Sequence, residues 1–122
     1  MARKVLIAED EPNIVASLEF LLQQSAYEVR VARDGEEALR LAESFVPDLV
    51  LLDVMMPARN GFEVCRAIRQ NPALRSVKIL MLTARGRDVE RDWGLGLGAD
   101  GYVTKPFSTK ELLASVKGLL RE

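Results

Sequence analysis

Five residues have side chains that could do chemistry together. Glu9 and Asp10 close the apolar run "VLIAEDEP", Asp53 ends "DLVLLD", Thr83 ends "VKILMLT", and Lys105 follows "GYVT". Glu11 makes a third consecutive acid. Like charges about 4 Å apart repel by roughly 4 kcal/mol at a protein-surface dielectric, so carboxylates surfacing together from a buried strand call for a cation. A donor set of oxygens without thiol or imidazole suits a hard ion of the Mg²⁺ type, with Mn²⁺ as the other candidate. Mg²⁺ takes one or two carboxylates and leaves its other positions to water and phosphate oxygens. The chemistry indicated is phosphoryl transfer: a carboxylate can attack phosphorus, and the step needs mostly alignment and neutralisation of the moving charge. Asp53, the most central acid, is the candidate nucleophile. Glu9 and Asp10 would hold the metal, while Lys105 and Thr83 would take the remaining phosphoryl oxygens.

Other chemistries are excluded by composition. The chain has no histidine. Ser-His-Asp and Cys-His catalysis are therefore absent, and any phosphohistidine must be supplied by another molecule. The single Cys65 permits no internal disulfide. With no signal-peptide pattern and no apolar run near the ~20 residues of a membrane span, the expectation is a cytoplasmic protein without membrane association. Net charge is −1, and basic residues alternate with acids, as in "RGRDVERD" (85–92), so no stripe offers itself to a nucleic-acid backbone. At 122 residues, 48% hydrophobic and 29% charged, the chain is expected to form one globular domain over 1–122.

The elements that must position these residues follow from periodicity. Short apolar runs alternate with amphipathic segments in five pairs, which is βα repetition. The strand segments are 4–8, 27–32, 48–53, 77–83 and 101–104; the third is apolar continuously from Leu49 to Leu52, as a central parallel strand requires. A first helix starts at Pro12 and repeats Ile14, Leu18, Leu21 and Leu22 at helical spacing. The second and the last open with Asp34/Glu37 and Ser108/Glu111, a capping residue with an acid three positions on. A third carries Phe62, Cys65 and Ile68 on one face and stops near "QNP" (70–72), because the residue before Pro72 resists helical geometry. A fourth helix over 88–100 contains Gly94 and Gly96, each costing about 1 kcal/mol relative to Ala, and is expected to be short; Trp93 in it reads as packing. The fold class is α/β: one doubly wound, five-stranded parallel sheet in the order 2-1-3-4-5, flavodoxin-like. Ligands of such sheets sit at the carboxyl ends of the strands near the switch in strand order, where all five polar residues fall.

With those stretches in place, the chain resembles the receiver domain of two-component response regulators over essentially its whole length. The matching stretches are "VLIAEDEP", "PDLVLLDVMMP", "NGFEVCRAIR", "ILMLTA" and "GADGYVTKPFS". The resemblance implies that Asp53 is the phosphoacceptor, Asp10 a direct metal ligand, Glu9 its water-mediated helper, and the Met55 backbone carbonyl the completing ligand. It implies that Thr83 swings toward the phosphoryl group, that Tyr102 turns inward with it, that Lys105 binds phosphate, and that the bond before Pro106 is cis. The donor would be a histidine kinase or histidine phosphotransfer protein. The readout would pass to a downstream protein or output domain through the surface made by the fourth helix, fifth strand and last helix. Such a domain acts as no enzyme on separate substrates and catalyses only its own phosphorylation and dephosphorylation. The tail "KPFSTKELLASVKGLLRE" looks most like receivers joined to winged-helix DNA-binding domains. Those relatives carry an acid before the aromatic and an arginine in the last helix where this chain has Gly101 and Ser115, which argues against their phosphorylation-dependent dimer. Because the chain stops at Glu122, a stand-alone receiver acting by protein contact is expected, ahead of a domain belonging to a longer regulator.

Two other classes are weaker. A haloacid dehalogenase-type phosphatase would carry its nucleophile on the first strand in an Asp-x-Asp pair, whereas Asp53 lies on the third with Met55 two residues on. A flavodoxin-type FMN carrier must cradle a phosphate in its first loop, where Glu9, Asp10 and Glu11 would repel one. Arg85, two residues beyond Thr83, lies where the resembled family varies its phosphoryl lifetime, and with Met55 it would obstruct the attacking water. Slow self-hydrolysis is expected, and Arg85→Ala should shorten the lifetime of the phosphorylated form several-fold in a label-loss assay; an unchanged rate would remove Arg85 from that role.

Overall fold

Apolar runs settle as central strands where helices can cover both faces. The computed structural model describes residues 2–84 and 96–122. Its strands are β1 (Lys4–Ala8), β2 (Glu28–Ala32), β3 (Leu49–Asp53), β4 (Lys78–Ala84) and β5 (Gly101–Lys105), all parallel in the order β2-β1-β3-β4-β5. Crossovers run through α1 (Pro12–Gln24), α2 (Gly35–Phe45) and α3 (Gly61–Gln70), and α4 (Thr109–Leu120) folds back after β5. This is the doubly wound sheet that the periodicity called for. Among the described residues, no helix is long and apolar enough to cross a membrane. The expected helix over 88–100, with Trp93, and Arg85 before it fall on 85–95, outside the described residues, except for its end at 96–100.

Alternation along each strand sends side chains to two separate cores. Leu6, Val50, Leu52, Ile79 and Met81 join Ala38, Ala42, Val64, Cys65 and Ile68 of α2 and α3. Val5, Ile7, Leu49, Leu51, Leu80 and Leu82 join Leu18, Leu22, Leu112 and Val116 of α1 and α4. β1 and β3 contribute to both, which is why Leu49 to Leu52 read as an unbroken apolar run.

The ends of elements differ from the sequence reading by single residues, each for a local reason. β2 starts after Tyr27, whose amide bonds back to Leu22 O (3.1 Å) at the exit of α1 and whose hydroxyl donates to Glu122 Oε1 (2.6 Å). β3 starts after Asp48, whose carboxylate accepts from the Lys4 amide at 2.7 Å. α3 ends at Gln70 with Asn71 extended before Pro72, and a short 3-10 turn, Pro72–Leu74, which the periodicity does not reveal, leads into β4. Asp34 and Ser108 cap α2 and α4 by accepting from the Glu37 and Glu111 amides. Glu37 itself reaches the Arg33 amide (2.8 Å), one residue earlier than a reciprocal box would have it. The full box occurs at α3, where Asn60 accepts from the Glu63 amide and Glu63 accepts from the Asn60 amide.

The loop after β3 must turn at once into α3, and this decides one position. The Gly61 amide donates to Val54 O at 2.8 Å, and a Cβ on Gly61 would lie 2.3 Å from Asp53 O. Only a residue without a side chain lets α3 begin so close to the end of β3. Gly61→Ala should lower stability by about 2 kcal/mol, within the range for backbone crowding, as read by urea unfolding; an unchanged midpoint would contradict the close approach.

Candidate functional site

Register brings the acids together. Ala8 pairs with Leu52, so Glu9 and Asp53, the next residues along β1 and β3, emerge side by side. On the other flank Asp53 pairs with Leu82, Thr83 pairs with Thr104, and Ala84 with Lys105. The structure therefore places Glu9, Asp10, Asp53, Thr83 and Lys105 at the carboxyl ends of four adjacent strands.

Glu9 is fully buried. Its Oε2 turns back to accept from the amides of Asp10 and Glu11, both at 3.1 Å. Its enclosed Oε1 accepts no well-aligned hydrogen bond, and the Lys105 ammonium lies 2.8 Å away as an ion pair. Lys105 Nζ also lies 3.1 Å from Asp53 Oδ1, which the Met55 amide approaches at 3.4 Å. Ligand oxygens of Glu9, Asp10 and Asp53 all come within 4.8 Å of one another. Asp10 is exposed at the mouth, whereas Asp53 and Thr83 are buried. Glu11 stands apart from the cluster and caps α1, accepting from the Ile14 amide at 2.9 Å.

Burial, together with the charge of Glu9, pushes the Asp53 carboxyl up to about 6, with Lys105 opposing. For Lys105, burial works against the ammonium, but the contact with Glu9 and the charges of Asp53 and Glu9 outweigh it and hold the group above its ordinary range. Among the described residues, three carboxylates face one ammonium, an excess of two negative charges that a divalent cation would cancel. The donor set is all oxygen, so the residues fit a hard divalent ion.

The remaining sequence-derived candidates occupy varied positions. Met55, on the loop after β3, presents its side chain to solvent (61% exposed) beside the pocket. Tyr102 lies on β5 and is 38% exposed. The Lys105–Pro106 bond is cis. Arg85 falls outside the described residues. Next to the pocket, a cleft of about 480 Å³ runs between Asn13, Ile14 and Ser17 of α1 and Pro106, Phe107 and Thr109 on the other wall, with Lys105 in its lining. Unrecognised in the sequence were the two glycines that shape the loop after β3, Gly35 and Gly61; the signal available was Asn60-x-x-Glu63, a legible start for α3 immediately beyond that loop.

Comparison with known proteins adds the relationships. The family model for the response regulator receiver domain matches residues 5–117. The chain is 49% identical over 121 residues to the alkaline phosphatase synthesis transcriptional regulatory protein PhoP of Bacillus subtilis, covering 99% of this chain and 50% of that protein. It thus spans about half the length of that relative. Among solved structures, the chemotaxis response regulator CheY4 of Vibrio cholerae superposes with a TM-score of 0.92 at 34% identity, over 98% of this chain and 99% of that one. The receiver domain of a sensor histidine kinase from Pseudomonas aeruginosa, with a magnesium ion coordinated in its active-site cleft, gives 0.91 at 30% identity over 100% of both chains.

The raised carboxyl carries a stability consequence. A carboxyl raised from 3.8 to about 6 contributes stability below about pH 4 that is lost as pH climbs through 6. Asp53→Asn should therefore stabilise the metal-free protein above pH 6, by up to about 2 kcal/mol once the shift is discounted for solvent at the mouth. The gain should vanish below pH 4 in thermal unfolding; a gain independent of pH would contradict the charge origin.

Proposed function

The chain belongs to the response regulator receiver domain family, and from that premise we propose that Asp53 accepts a phosphoryl group from the phosphohistidine of a partner. The family signals by phosphotransfer. The reading for this chain rests above all on one observation: the buried Glu9 and Asp53, with Asp10 beside them at the mouth, face a single ammonium among the described residues, which leaves the pocket with an excess of two negative charges.

An oxygen of Asp53 forms its bond to phosphorus as the donor's phosphorus–nitrogen bond breaks, leaving an aspartyl-phosphate and a free histidine on the partner. Glu9, Asp10, Asp53 and the Met55 carbonyl would hold Mg²⁺ or Mn²⁺, which when bound supplies positive charge opposite the transferring phosphoryl oxygens. Lys105, already within 3.1 Å of Asp53, neutralises a further phosphoryl oxygen. Thr83, one residue past the Leu82 that pairs with Asp53, donates its hydroxyl to another. The donor is a histidine kinase or histidine phosphotransfer protein, since this chain has no histidine. The cleft beside Lys105 is open to such a partner.

The new charge on Asp53 draws Thr83 and Lys105 toward it and lets Tyr102 pack inward, biasing an existing two-state equilibrium of the face formed by the segment before β5, β5 and α4. The recipient is a downstream protein or an output domain. Neither Gly101 nor Ser115 contributes a charge to this face, which disfavours a charge-paired dimer.

A phosphodonor carrying radiolabel should label the wild type only with Mg²⁺ or Mn²⁺ present, and labelling of Asp53→Asn should fall by at least about a hundredfold, as when a nucleophile is removed. Undiminished labelling of Asp53→Asn would overturn the assignment, and labelling indifferent to chelation would overturn the metal's part in it.

A further inference from the structure

The loop that leaves β3, residues 54–60, is held in a shape its own residues do not favour. Ala58 sits at φ 69°, a left-handed conformation costly for any residue with a Cβ. Its neighbours must fix it. One end is closed by the Gly61 amide on Val54 O. The outer side lies against the first turn of α2: the Gly35 amide donates to Pro57 O at 3.1 Å, and Glu36 ion-pairs with Arg59.

The contact at Gly35 is tighter than a hydrogen bond alone requires. A Cβ there would lie 2.2 Å from Arg59 O, 2.6 Å from Arg59 Cβ and 2.8 Å from Arg59 C. Those atoms are backbone, or fixed to it, so a side chain at 35 could be accommodated only by moving the loop. Gly35 follows β2, the edge strand, and contributes nothing to the acid pocket itself.

We propose that the first turn of α2 is a positioning element for the cation site: Gly35, with the Glu36–Arg59 pair, presses the 54–60 loop down so that the Met55 main chain stays beside Asp53. The inference rests on the reading of Met55 and Asp53 as part of a cation site. Gly35, Glu36 and Arg59 are positioning residues and touch neither metal nor phosphoryl group. Lifting the loop should weaken divalent-cation binding with every carboxylate intact.

The test is calorimetric titration of the full chain with Mg²⁺, alongside urea unfolding without metal. Gly35→Ala should weaken Mg²⁺ binding about tenfold, the scale on which outer supports of metal sites act. Glu36→Arg puts like charges on an exposed pair, so it leaves the core untouched, and it should weaken binding about threefold. Adding Arg59→Glu to it should restore affinity, whereas Glu43→Arg, the same charge change farther along α2, should leave affinity at the wild-type value. The proposal is overturned if Gly35→Ala lowers the unfolding midpoint but binds Mg²⁺ within twofold of wild type, or if Glu36→Arg and Glu43→Arg behave alike. Should Gly35→Ala not fold, the Glu36/Arg59 swap decides alone. Wild-type protein that bound no Mg²⁺ would instead overturn the pocket reading and this inference with it.

Discussion

Two carboxylates kept out of water side by side, with one ammonium between them, set the terms for the rest of the molecule. Glu9 and Asp53 are placed by adjacent central strands whose register admits no slip, because a shift of one residue would turn Val5, Ile7, Leu49 and Leu51 from one core to the other. The fold therefore enforces their repulsion instead of relieving it. Lys105 relieves part, and burial, together with the charge of Glu9, still disfavours the charged form of Asp53 and pushes its carboxyl up. On the proposed reading a divalent cation would remove the excess negative charge, and a phosphoryl group would add to it. Both events would act on the same electrostatic balance, which on that reading couples one small pocket to groups on β4 and β5.

The scaffold holds this balance by geometry at the pocket's edges. α3 starts where a methyl group on Gly61 would collide with Asp53, and α2 starts where a methyl on Gly35 would collide with Arg59. Between those approaches the 54–60 loop has little room, and Met55 stays next to the acid it accompanies. Glu11 keeps out of the cluster by capping α1 with its own carboxylate, so its charge serves the helix terminus.

Much of this was legible in the residues. Alternation of apolar runs and amphipathic segments specified a parallel βα sheet and marked β3 as a central strand, because a strand covered on both faces has a recognisable composition and β3 has it. Strand-end polar residues marked the pocket because parallel topology collects those ends on one rim. Three features were not legible, each for a stated cause. The boundaries at Tyr27 and Asp48 depend on partners far along the chain, Glu122 and Lys4. Glu9 is wholly buried, with one oxygen against the Lys105 ammonium, although an acid at a strand end reads as a surface group. Gly35 owes its identity to a contact with Arg59, and spacing within α2 carries no trace of it.

The central claim is that a divalent cation relieves the charge forced on Asp53 by its burial beside Glu9. The most direct measurement is a carbon-13 NMR pH titration of the Asp53 side-chain carboxyl, with and without saturating Mg²⁺. The account predicts a midpoint near 6 in metal-free protein, moving below the ordinary carboxylate value when Mg²⁺ is bound. A midpoint that Mg²⁺ leaves unmoved would contradict it.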